Sequence, residues 1–430
     1  MPDVARPASS HFPGFDGLRL AAALSVIFSH AFLIATGSED AEPLVRLLGP
    51  HNIIGLYGVF AFFITSGFLL ARSLDASGDP IAYAVNRSLR LLPALWVCIL
   101  LTVLVAGPVF TALHPGSYFA HAETRTYLQQ GVMQLIDSGE GLPGLFNYVG
   151  PLAGTVNGAL WSLPFEALSY VTLIMFWLAL RQVTLAALAL AAVAVLSRLF
   201  PAAGESLIKG IWYTLPYFTG GVVMYLVYRR YGMHRWVALL SGLALVLSVR
   251  WDAQQLAFAV FGAYLIVFVG ARSHLGNSLV KRIGDCSYGL YLFGWPVEQI
   301  LKQVTGTGRP LVLFALAVPA TFLLAYASCH LVEAPAMRAR RRVSATIRRA
   351  VDRTLAFAPA SRPMANLVAR WTFVVTAALI LISRDRMWWY VLRSVGIMIT
   401  LSIVGALIVV AAGRGLVAWR SRPTAPASAQ

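Results

Sequence analysis

Residues 13–37 read PGFDGLRLAAALSVIFSHAFLIATG, an apolar stretch long enough to cross a bilayer as one helix. It contains two ionisable side chains, Arg19 near its start and His30 about two-thirds of the way along. Eleven residues at about 100° each return to within roughly 20° of the starting direction, so both side chains lie on one helical face, about 16 Å apart along the axis. Ionisable groups inside a membrane helix face the bundle interior or a wet cavity, so this face is a candidate functional site.

Each of the two residues also has a simpler interpretation. Arg19 lies near the entry end of the helix, where its side chain would reach lipid phosphates. His30 would hydrogen-bond a neighbouring backbone carbonyl. The occurrence of both on one face favours the functional interpretation.

The whole chain has the composition of a polytopic membrane protein. Of its 430 residues, 58% are hydrophobic and only 12% are charged, and the mean hydropathy is +0.71. The first apolar stretch is itself long enough to span, and no separate apolar core with a cleavage site precedes it, so we expect no cleaved signal peptide. The predicted fold class is all-α, an integral membrane helical bundle.

Charge and cysteine content argue against nucleic-acid and metal partners. The formal charge is +16, but the excess lies in loops and in residues 338–353. We assign it to membrane orientation and contact with anionic lipids, not to nucleic acid. Cys98, Cys286 and Cys329 lie in apolar segments without metal-ligand spacing, which predicts packing residues, no disulfide and no metal site.

Ten apolar runs are long enough to be membrane spans. They cover residues 17–36, 53–71, 91–112, 159–180, 182–200, 211–228, 236–251, 254–271, 286–304 and 310–332. With the N-terminus placed in the cytoplasm, the cytoplasmic loops are rich in arginine and lysine and the opposite loops are poor in them. The positive-inside rule therefore predicts a ten-helix core with both ends in the cytoplasm.

The chain divides into three predicted parts. Residues 1–337 form the membrane core, residues 338–366 a basic cytoplasmic linker with an amphipathic helix on the anionic leaflet, and residues 367–430 a C-terminal membrane extension with a disordered tail. We expect one or two further spans in the extension. Within the core, the long loop of residues 111–158 is either a lid over a site or a solvated connector.

Two acidic residues are candidates to work with His30. Glu166 in the fourth span and Glu298 in the ninth lie at a similar depth to His30, roughly 9 Å below the outer boundary. A carboxylate beside an imidazole fixes its tautomer and prepares it to act as a general base. The alternative for either acid is a buried carboxyl that is neutral or bonded to Ser, Tyr or Trp.

Two further sets of residues would line a substrate path. Trp161, Ser162 and Pro164, which is expected to kink the helix, surround Glu166 with features of an opened cavity. Ser66 lies in the aromatic-rich second span, GVFAFFITSGFLLA. Its small neighbours predict close helix packing, with a narrow acyl channel as the alternative.

Arg87 and Arg90 lie one turn apart just before the third span, and Arg19 lies on the same cytoplasmic side. Three guanidinium groups would bind phosphates in a bidentate manner. Positive-inside anchoring is the competing explanation, and composition alone favours it. With a histidine and an acid near the outer face, however, the arrangement fits a phosphate-bearing donor that enters from the cytoplasm and extends toward an acceptor outside.

The sequence contains no Walker phosphate loop, no HExxH and no GxSxG in a strand–helix context, which argues against an ATP-driven pump and a soluble hydrolase. The alternative class of function is a proton- or anion-coupled transporter with Arg19, His30 and Glu166 along its pathway. A third hypothesis is a sensor that binds its ligand without turnover.

Six short motifs follow one another along the first three-quarters of the chain. They are Asp16-Gly17-Leu18-Arg19 with His30 in an Arg-x10-His spacing, GVFAFFITSGFLL at 58–70, Arg87-x-x-Arg90 with Pro93, WSLPFE at 161–166, SYGLYL at 287–292 and VEAP at 332–335. In this order they resemble the membrane-bound acyltransferase-3 family, over about residues 13–337. Members of that family acylate, most often acetylate, sugars of bacterial surface polysaccharides and related molecules.

The resemblance implies a multi-pass enzyme of the bacterial inner membrane with a cytoplasmic acyl-CoA donor, expected to be acetyl-CoA, and a glycan or lipid-linked sugar as acceptor. It implies His30 as the catalytic base and Arg19 as a partner in donor handling. By the same resemblance Arg87 and Arg90 contact the donor phosphates and Glu166 is part of the site. The candidates for substrate contacts are Trp161, Ser162, Ser66 and Glu298.

Two features depart from the family pattern. Many relatives follow SYxLYL with Trp-His-Trp-Pro, whereas Phe293-Gly294-Trp295-Pro296 lacks that histidine, so no role passes to position 294. The segment after Pro335 does not look like the extracytoplasmic hydrolase-like domain of some relatives. We therefore predict an O-acyltransferase in which the membrane core alone delivers the acyl group.

Overall fold

The computed structural model describes residues 12–132, 141–146, 155–180, 182–199, 207–274 and 276–356. Within these ranges the chain forms helices joined by turns, and no residue lies in a β-strand. The predicted all-α fold class is confirmed. The C-terminal extension predicted for residues 367–430 lies outside the described residues.

The first helix, α1, spans Pro13–Thr36 and covers nearly all of the opening stretch. Pro13 stands in the first turn, where a missing N–H costs nothing, and Asp16 adds a favourable negative charge there. The helix ends at Gly37, whose φ of 77° lets its N–H bond back to the carbonyl of Leu33 at 2.8 Å.

Six further helices follow before the first internal gap in the description, which begins after residue 132. They are α2 Pro43–Leu48, α3 Ile54–Ser77, α4 Pro80–Leu101, α5 Gly107–Phe110, α6 Pro115–Ala120 and α7 Ala122–Val132. A π-helical turn, Thr102–Ala106, joins α4 to α5, so this helix runs without a break from Pro80 to Phe110.

Ten helices make up the rest of the described chain. They are α8 Leu163–Leu180, α9 Val183–Leu199, α10 Leu207–Tyr231, α11 Arg235–Ser248, α12 Gln254–Ala257, α13 Ala263–Arg272, α14 Asn277–Ile283, α15 Ser287–Thr305, α16 Pro310–Ser328 and α17 Ala334–Ala356. A 3-10 turn, Gly158–Ser162, leads into α8, and π-helical turns join α12 to α13 and α16 to α17. The described residues up to 340, except Leu207, belong to one compact unit, and Leu207 and residues 341–356 belong to a second.

Six helical runs are long and apolar enough to cross a membrane, judged by length and composition. They are Pro13–Thr36, Ile54–Ser77, Pro80–Phe110, Gly158–Leu180, Gln254–Arg272 and Pro310–Ala350. The other four predicted spans coincide with α9, α10, α11 and α15. A multi-pass helical membrane protein follows, whereas the number of ten spans stays a prediction.

The third span begins earlier than the sequence predicted. Its helix starts at Pro80 and not at residue 91, because Asp79 caps it by accepting hydrogen bonds from the N–H groups of residues 81 and 82, each at 3.1 Å. Arg87 and Arg90 therefore lie within α4 and not before it. A helical backbone fixes the direction of both side chains.

Two glycines in α3 set its distance from α1. A Cβ at Gly55 would lie 2.9 Å from the Cβ of Ser29, and one at Gly58 would lie 2.8 Å from the carbonyl oxygen of Ala22. Larger residues would force the helices apart, so this small-residue contact fixes α1 against α3. The close packing predicted around Ser66 is found at Gly67, where a Cβ would collide with the backbone carbonyl of Phe218 in α10.

Candidate active site

One face of α15 carries a polar atom at nearly every turn. Its residues recur at spacings of three and four, which keeps them on one side of a helix. They are Tyr288, Tyr291, Trp295, Glu298 and Lys302. Because α15 packs against α1, this polar stripe lies in the helix bundle.

At one end of the stripe, His30 of α1 meets Glu298 and Trp295. The Nδ1 atom of His30 lies 3.9 Å from Oε2 of Glu298, beyond hydrogen-bond distance. The rings of His30 and Trp295 pack edge to face, with centroids 4.6 Å apart. Glu298 is fully buried, whereas 15% of the His30 side chain is exposed, so the imidazole is the member of the cluster that a substrate can reach.

This His30 cluster contains several buried polar atoms without a hydrogen-bond partner among the described residues. They are Nδ1 of His30, Nε1 of Trp295 and both carboxyl oxygens of Glu298. Such atoms are rare in folded proteins, because each costs free energy when it is buried unpaired. Several unpaired polar atoms at one place mark the cluster as a candidate functional site.

A proline beside the cluster is accommodated by a neighbouring loop. Pro296 has no N–H, so the carbonyl of Leu292 one turn earlier loses its helical partner. Asn157 donates to that carbonyl through Nδ2 at 3.0 Å, and the thiol of Cys98 donates at 3.4 Å. The loop before α8 is thereby fixed to the centre of α15.

The family histidine missing from α15 has a steric explanation. A Cβ at Gly294 would lie 2.8 Å from Cγ1 of Ile27 in α1. A histidine at this position would meet the Ile27 side chain, so the chain uses glycine and brings α1 and α15 close together. This close approach places Trp295 and Glu298 beside His30.

The other end of the α1–α15 pair holds an ion cluster centred on Asp285, just before α15. Arg19 donates through Nη1 to Oδ2 of Asp285 at 2.8 Å, and Arg90 donates to the same oxygen. The second oxygen of Asp285 accepts from the hydroxyl of Ser287 at 2.5 Å. Burial alone would raise the pKa of this carboxyl, but the charges of Arg19 and Arg90 and the Ser287 hydroxyl outweigh burial and hold the pKa below its usual range.

Asp285 was not among the predicted site residues. The available signal was its place directly before SYGLYL, in a segment otherwise rich in lysine and arginine. An acid in such a segment needs cationic partners, and the structure supplies two of the three predicted guanidinium groups.

Arg87 differs from Arg19 and Arg90. Its side chain is partly buried, and among the described residues it forms no hydrogen bond or ion pair. One turn earlier in α4, the hydroxyl of Tyr83 donates to the carbonyl of Tyr170 at 3.0 Å and joins α4 to α8. Arg87 is therefore the member of the arginine set with its donors still available.

Glu166 lies in a separate polar group. Its Oε1 atom accepts from the hydroxyls of Tyr170 and of Ser66, the latter at 3.4 Å. Within the described residues no hydrogen bond or ion pair joins it to His30. Of the two acids that the sequence offered to His30, the structure brings Glu298 to it and places Glu166 against Ser66.

The WSLPFE segment packs along α15. The hydroxyl of Ser162 is 2.7 Å from that of Tyr291, and the Trp161 ring, partly buried, packs edge to face on Phe165 with centroids 6.0 Å apart. The sequence predicted that Pro164 would kink a helix, and this prediction was wrong. Pro164 stands in the first turn of α8, where no N–H is needed.

Arg19 and His30 thus each meet an acid, Asp285 just before α15 and Glu298 within it. Eleven residues separate the two on α1, a distance of about 16 Å along the axis. The matching acids, Asp285 and Glu298, are thirteen residues apart, so α1 and α15 run in the same direction and stay in register.

Comparison with known proteins gives the same identification as the motifs. The family model for the acyltransferase-3 domain matches residues 12–330. An O-acetyl transferase of Shigella phage Sf6 is 25% identical over 330 residues, which cover 74% of this chain and 94% of that protein. Nodulation protein 10 of Rhizobium leguminosarum bv. viciae is 27% identical over 361 residues, covering 77% of this chain and 95% of that protein.

No solved structure matches the chain with significance. The family match covers most of the chain and includes every residue of the His30 cluster and of the arginine set. The protein is therefore a multi-pass membrane protein that belongs to the acyltransferase-3 family.

Proposed function

We propose that this protein transfers an acyl group, with acetyl expected, from cytoplasmic acyl-CoA to a hydroxyl of an extracytoplasmic or lipid-linked glycan. The observation that carries the proposal is the pairing of α1 with α15, which has arginines at one end and an unpaired histidine cluster about 16 Å away at the other. The relative from phage Sf6 bears the name O-acetyl transferase, which supports an oxygen acceptor.

At the donor end, the arginines would hold the phosphates of CoA. Arg87 has guanidinium donors without a hydrogen-bond partner among the described residues, and bidentate contact with phosphate is a usual role of such a group. Arg19 and Arg90 lie in the same cluster through Asp285. The spacing between Arg19 and His30 is on the scale of an extended phosphopantetheine arm, which would carry the thioester toward His30.

At the acceptor end, His30 would act as general base. Its Nδ1 atom faces Glu298, which leaves Nε2 to accept the proton of the acceptor hydroxyl. The oxygen then attacks the thioester carbonyl, the carbon–sulfur bond breaks, and the imidazolium returns the proton to the CoA thiolate. The half-buried Trp161 ring would contact the sugar, while Ser66 and Ser162 would line the path.

The charge of the loops supports the proposed orientation. By the positive-inside rule, the N-terminus, Arg19 and Arg87 would lie on the cytoplasmic side of the inner membrane, where acyl-CoA is made. His30 then lies nearer the outer face. Donor and acceptor would approach the two ends of α1 from opposite sides.

The experiment is acetyl transfer by the full-length protein in nanodiscs, read as free thiol from acetyl-CoA with and without a surface-glycan extract. We expect acceptor-dependent thiol release by the wild type and none by His30→Ala. His121→Ala is the matched control, because His121 is exposed and lies outside the cluster. Equal release by wild type and His30→Ala would contradict the role of His30.

The transporter alternative makes the opposite prediction. The absence of both thiol release and CoA binding in the wild type, together with substrate flux in proteoliposomes, would replace the acyltransferase proposal. CoA binding with no turnover would support the sensor hypothesis instead.

A further inference from the structure

Asp285 is a partly buried acid at the end of the bundle where the donor phosphates are proposed to bind. Both of its oxygens are occupied, one by Arg19 and Arg90 and the other by the hydroxyl and the N–H of Ser287 at 2.5 and 3.3 Å. A carboxylate at an anion site is unexpected, because it repels the phosphates that the arginines attract. Its presence therefore needs an explanation beyond donor binding.

The contacts of Asp285 divide the three arginines into two kinds. Arg19 and Arg90 come from different helices, and the carboxylate holds both at one point in front of α15. Arg87 lies one turn before Arg90 on α4, and none of its donors bonds to a described protein group. Arg19 and Arg90 share the single negative charge of Asp285, whereas Arg87 has no ion pair with an acid among the described residues.

We infer that Asp285 is a positioning residue, which holds Arg19 and Arg90 in fixed orientation and leaves Arg87 as the first guanidinium to bind the donor phosphate. The inference rests on the proposed function, since it assumes a phosphate-bearing donor at this end. Asp285 thus weakens anion binding but aligns the arginines, and through them α1 and α15, for transfer.

Removal of the carboxylate charge should separate binding from turnover. In Asp285→Asn, two guanidinium groups lose their counter-charge, so we expect CoA to bind about 3- to 10-fold more tightly. Pantetheine, which has no phosphate, should bind as it does to the wild type. Acetyl transfer should fall about 10- to 100-fold, because the donor is held out of its productive alignment.

The chain provides a matched control and a second variant. Asp75 also pairs with an arginine, Arg229, through Oδ2 and Nη1 at 2.7 Å, but in another part of the bundle. Asp75→Asn should leave CoA affinity and turnover unchanged. Asp285→Glu keeps the charge with one more methylene, so it should keep wild-type CoA affinity and lose turnover.

The same assay tests the role assigned to Arg87. Arg87→Gln should weaken CoA binding about 10- to 100-fold, the loss expected for a charged hydrogen-bond donor to phosphate. Arg90→Gln, which removes an arginine already bound to Asp285, should weaken it less.

Binding of CoA and pantetheine by the full-length protein in nanodiscs, with turnover measured on the same samples, decides between the outcomes. Unchanged affinity and turnover in Asp285→Asn, or a parallel loss of both, would overturn the inference while leaving wild-type CoA binding, and so the proposed function, in place. If Asp285→Asn fails to fold, wild-type turnover in Asp285→Glu would overturn it. A wild type that binds no CoA would instead contradict the proposed function itself.

Discussion

Gly294 of α15 lies directly against Ile27 of α1, so close that a Cβ at position 294 would stand 2.8 Å from Cγ1 of Ile27. One turn beyond Ile27 on α1 is His30, and one turn beyond Gly294 is Glu298. The glycine therefore determines the distance between His30 and Glu298. The proposed acyltransferase site depends on a contact that carries no chemistry itself.

Gly294→Ala should reduce transfer and lower the melting temperature. The added methyl group forces Ile27 or the α1–α15 spacing to shift, which costs about 1–3 kcal/mol in a packed core. Ile27→Ala creates the missing space, so the double variant should be less destabilised than the two single effects added together. Additive effects on stability in this cycle, measured by thermal unfolding, would show that the contact between Gly294 and Ile27 does not restrict the packing of the two helices.

Glu298→Gln should lower the turnover number about 10- to 100-fold with little change in CoA affinity, because only the group facing Nδ1 of His30 is altered. The surface pair of His121 and Glu123 offers a control of the same chemistry, with Nδ1 and Oε2 3.8 Å apart. Glu123→Gln should transfer acetyl groups at the wild-type rate. A weakened CoA affinity in Glu298→Gln would indicate that Glu298 contributes to donor binding and not to the action of His30.

Asn157 should stabilise the protein because it binds the carbonyl of Leu292, which Pro296 leaves without its helical partner. In Asn157→Ala the carbonyl of Leu292 keeps only the thiol of Cys98, and loss of a buried hydrogen bond costs about 1–3 kcal/mol. Pro296→Ala restores an N–H that can donate to that carbonyl. The cost of Asn157→Ala, measured by thermal unfolding, should therefore be smaller in the Pro296→Ala background than in the wild type.

Features of this site that are set within one segment of sequence could be predicted, whereas features set by packing between distant helices could not. The helical character of α1 and the shared face of Arg19 and His30 follow from spacing within one segment, and the structure has the same helix. The choice between Glu166 and Glu298 depends on which helix packs against α1. Depth along a span, the only coordinate that sequence gives, is similar for both acids.

Three other features were missed for related reasons. Asp285 was missed because its ion-pair partners, Arg19 and Arg90, are 266 and 195 residues away in the chain. The early start of α4 comes from the Asp79 cap, a local signal that an apolar-run criterion does not count. Pro164 was expected to kink a helix because its position within the helix was not known.

The acidity of Asp285 should appear in the pH dependence of stability. Burial would raise the pKa of this carboxyl, but Arg19 and Arg90 hold it below the usual range. A depressed folded-state pKa means that the ion pairs stabilise the protein above the unfolded value of about 3.9 and cease to do so as the pH falls through the folded value. The melting-temperature difference between wild type and Asp285→Asn should thus stay constant from about pH 8 to pH 5 and shrink below about pH 4. A difference that already shrinks near neutral pH would mean that another group is responsible.

Glu42 should stabilise the end of the bundle that contains His30. It is fully buried, and its Oε1 atom accepts from the hydroxyl of Ser29 and from the N–H of Ile54, both at 2.6 Å. The carboxylate therefore joins α1, one residue before His30, to the first turn of α3. Glu42→Gln replaces one acceptor with a donor among N–H groups, which should destabilise the protein by about 1–3 kcal/mol.

Thermal unfolding in nanodiscs tests the role of Glu42, with Asp40→Asn as the control because Asp40 is exposed in the same loop. The control should melt at the wild-type temperature. Since Ser29 adjoins His30, loss of the Glu42 contact should also lower turnover more than CoA affinity. If Glu42→Gln melts with the control, the buried carboxylate does not join these helices in the way that its hydrogen bonds indicate.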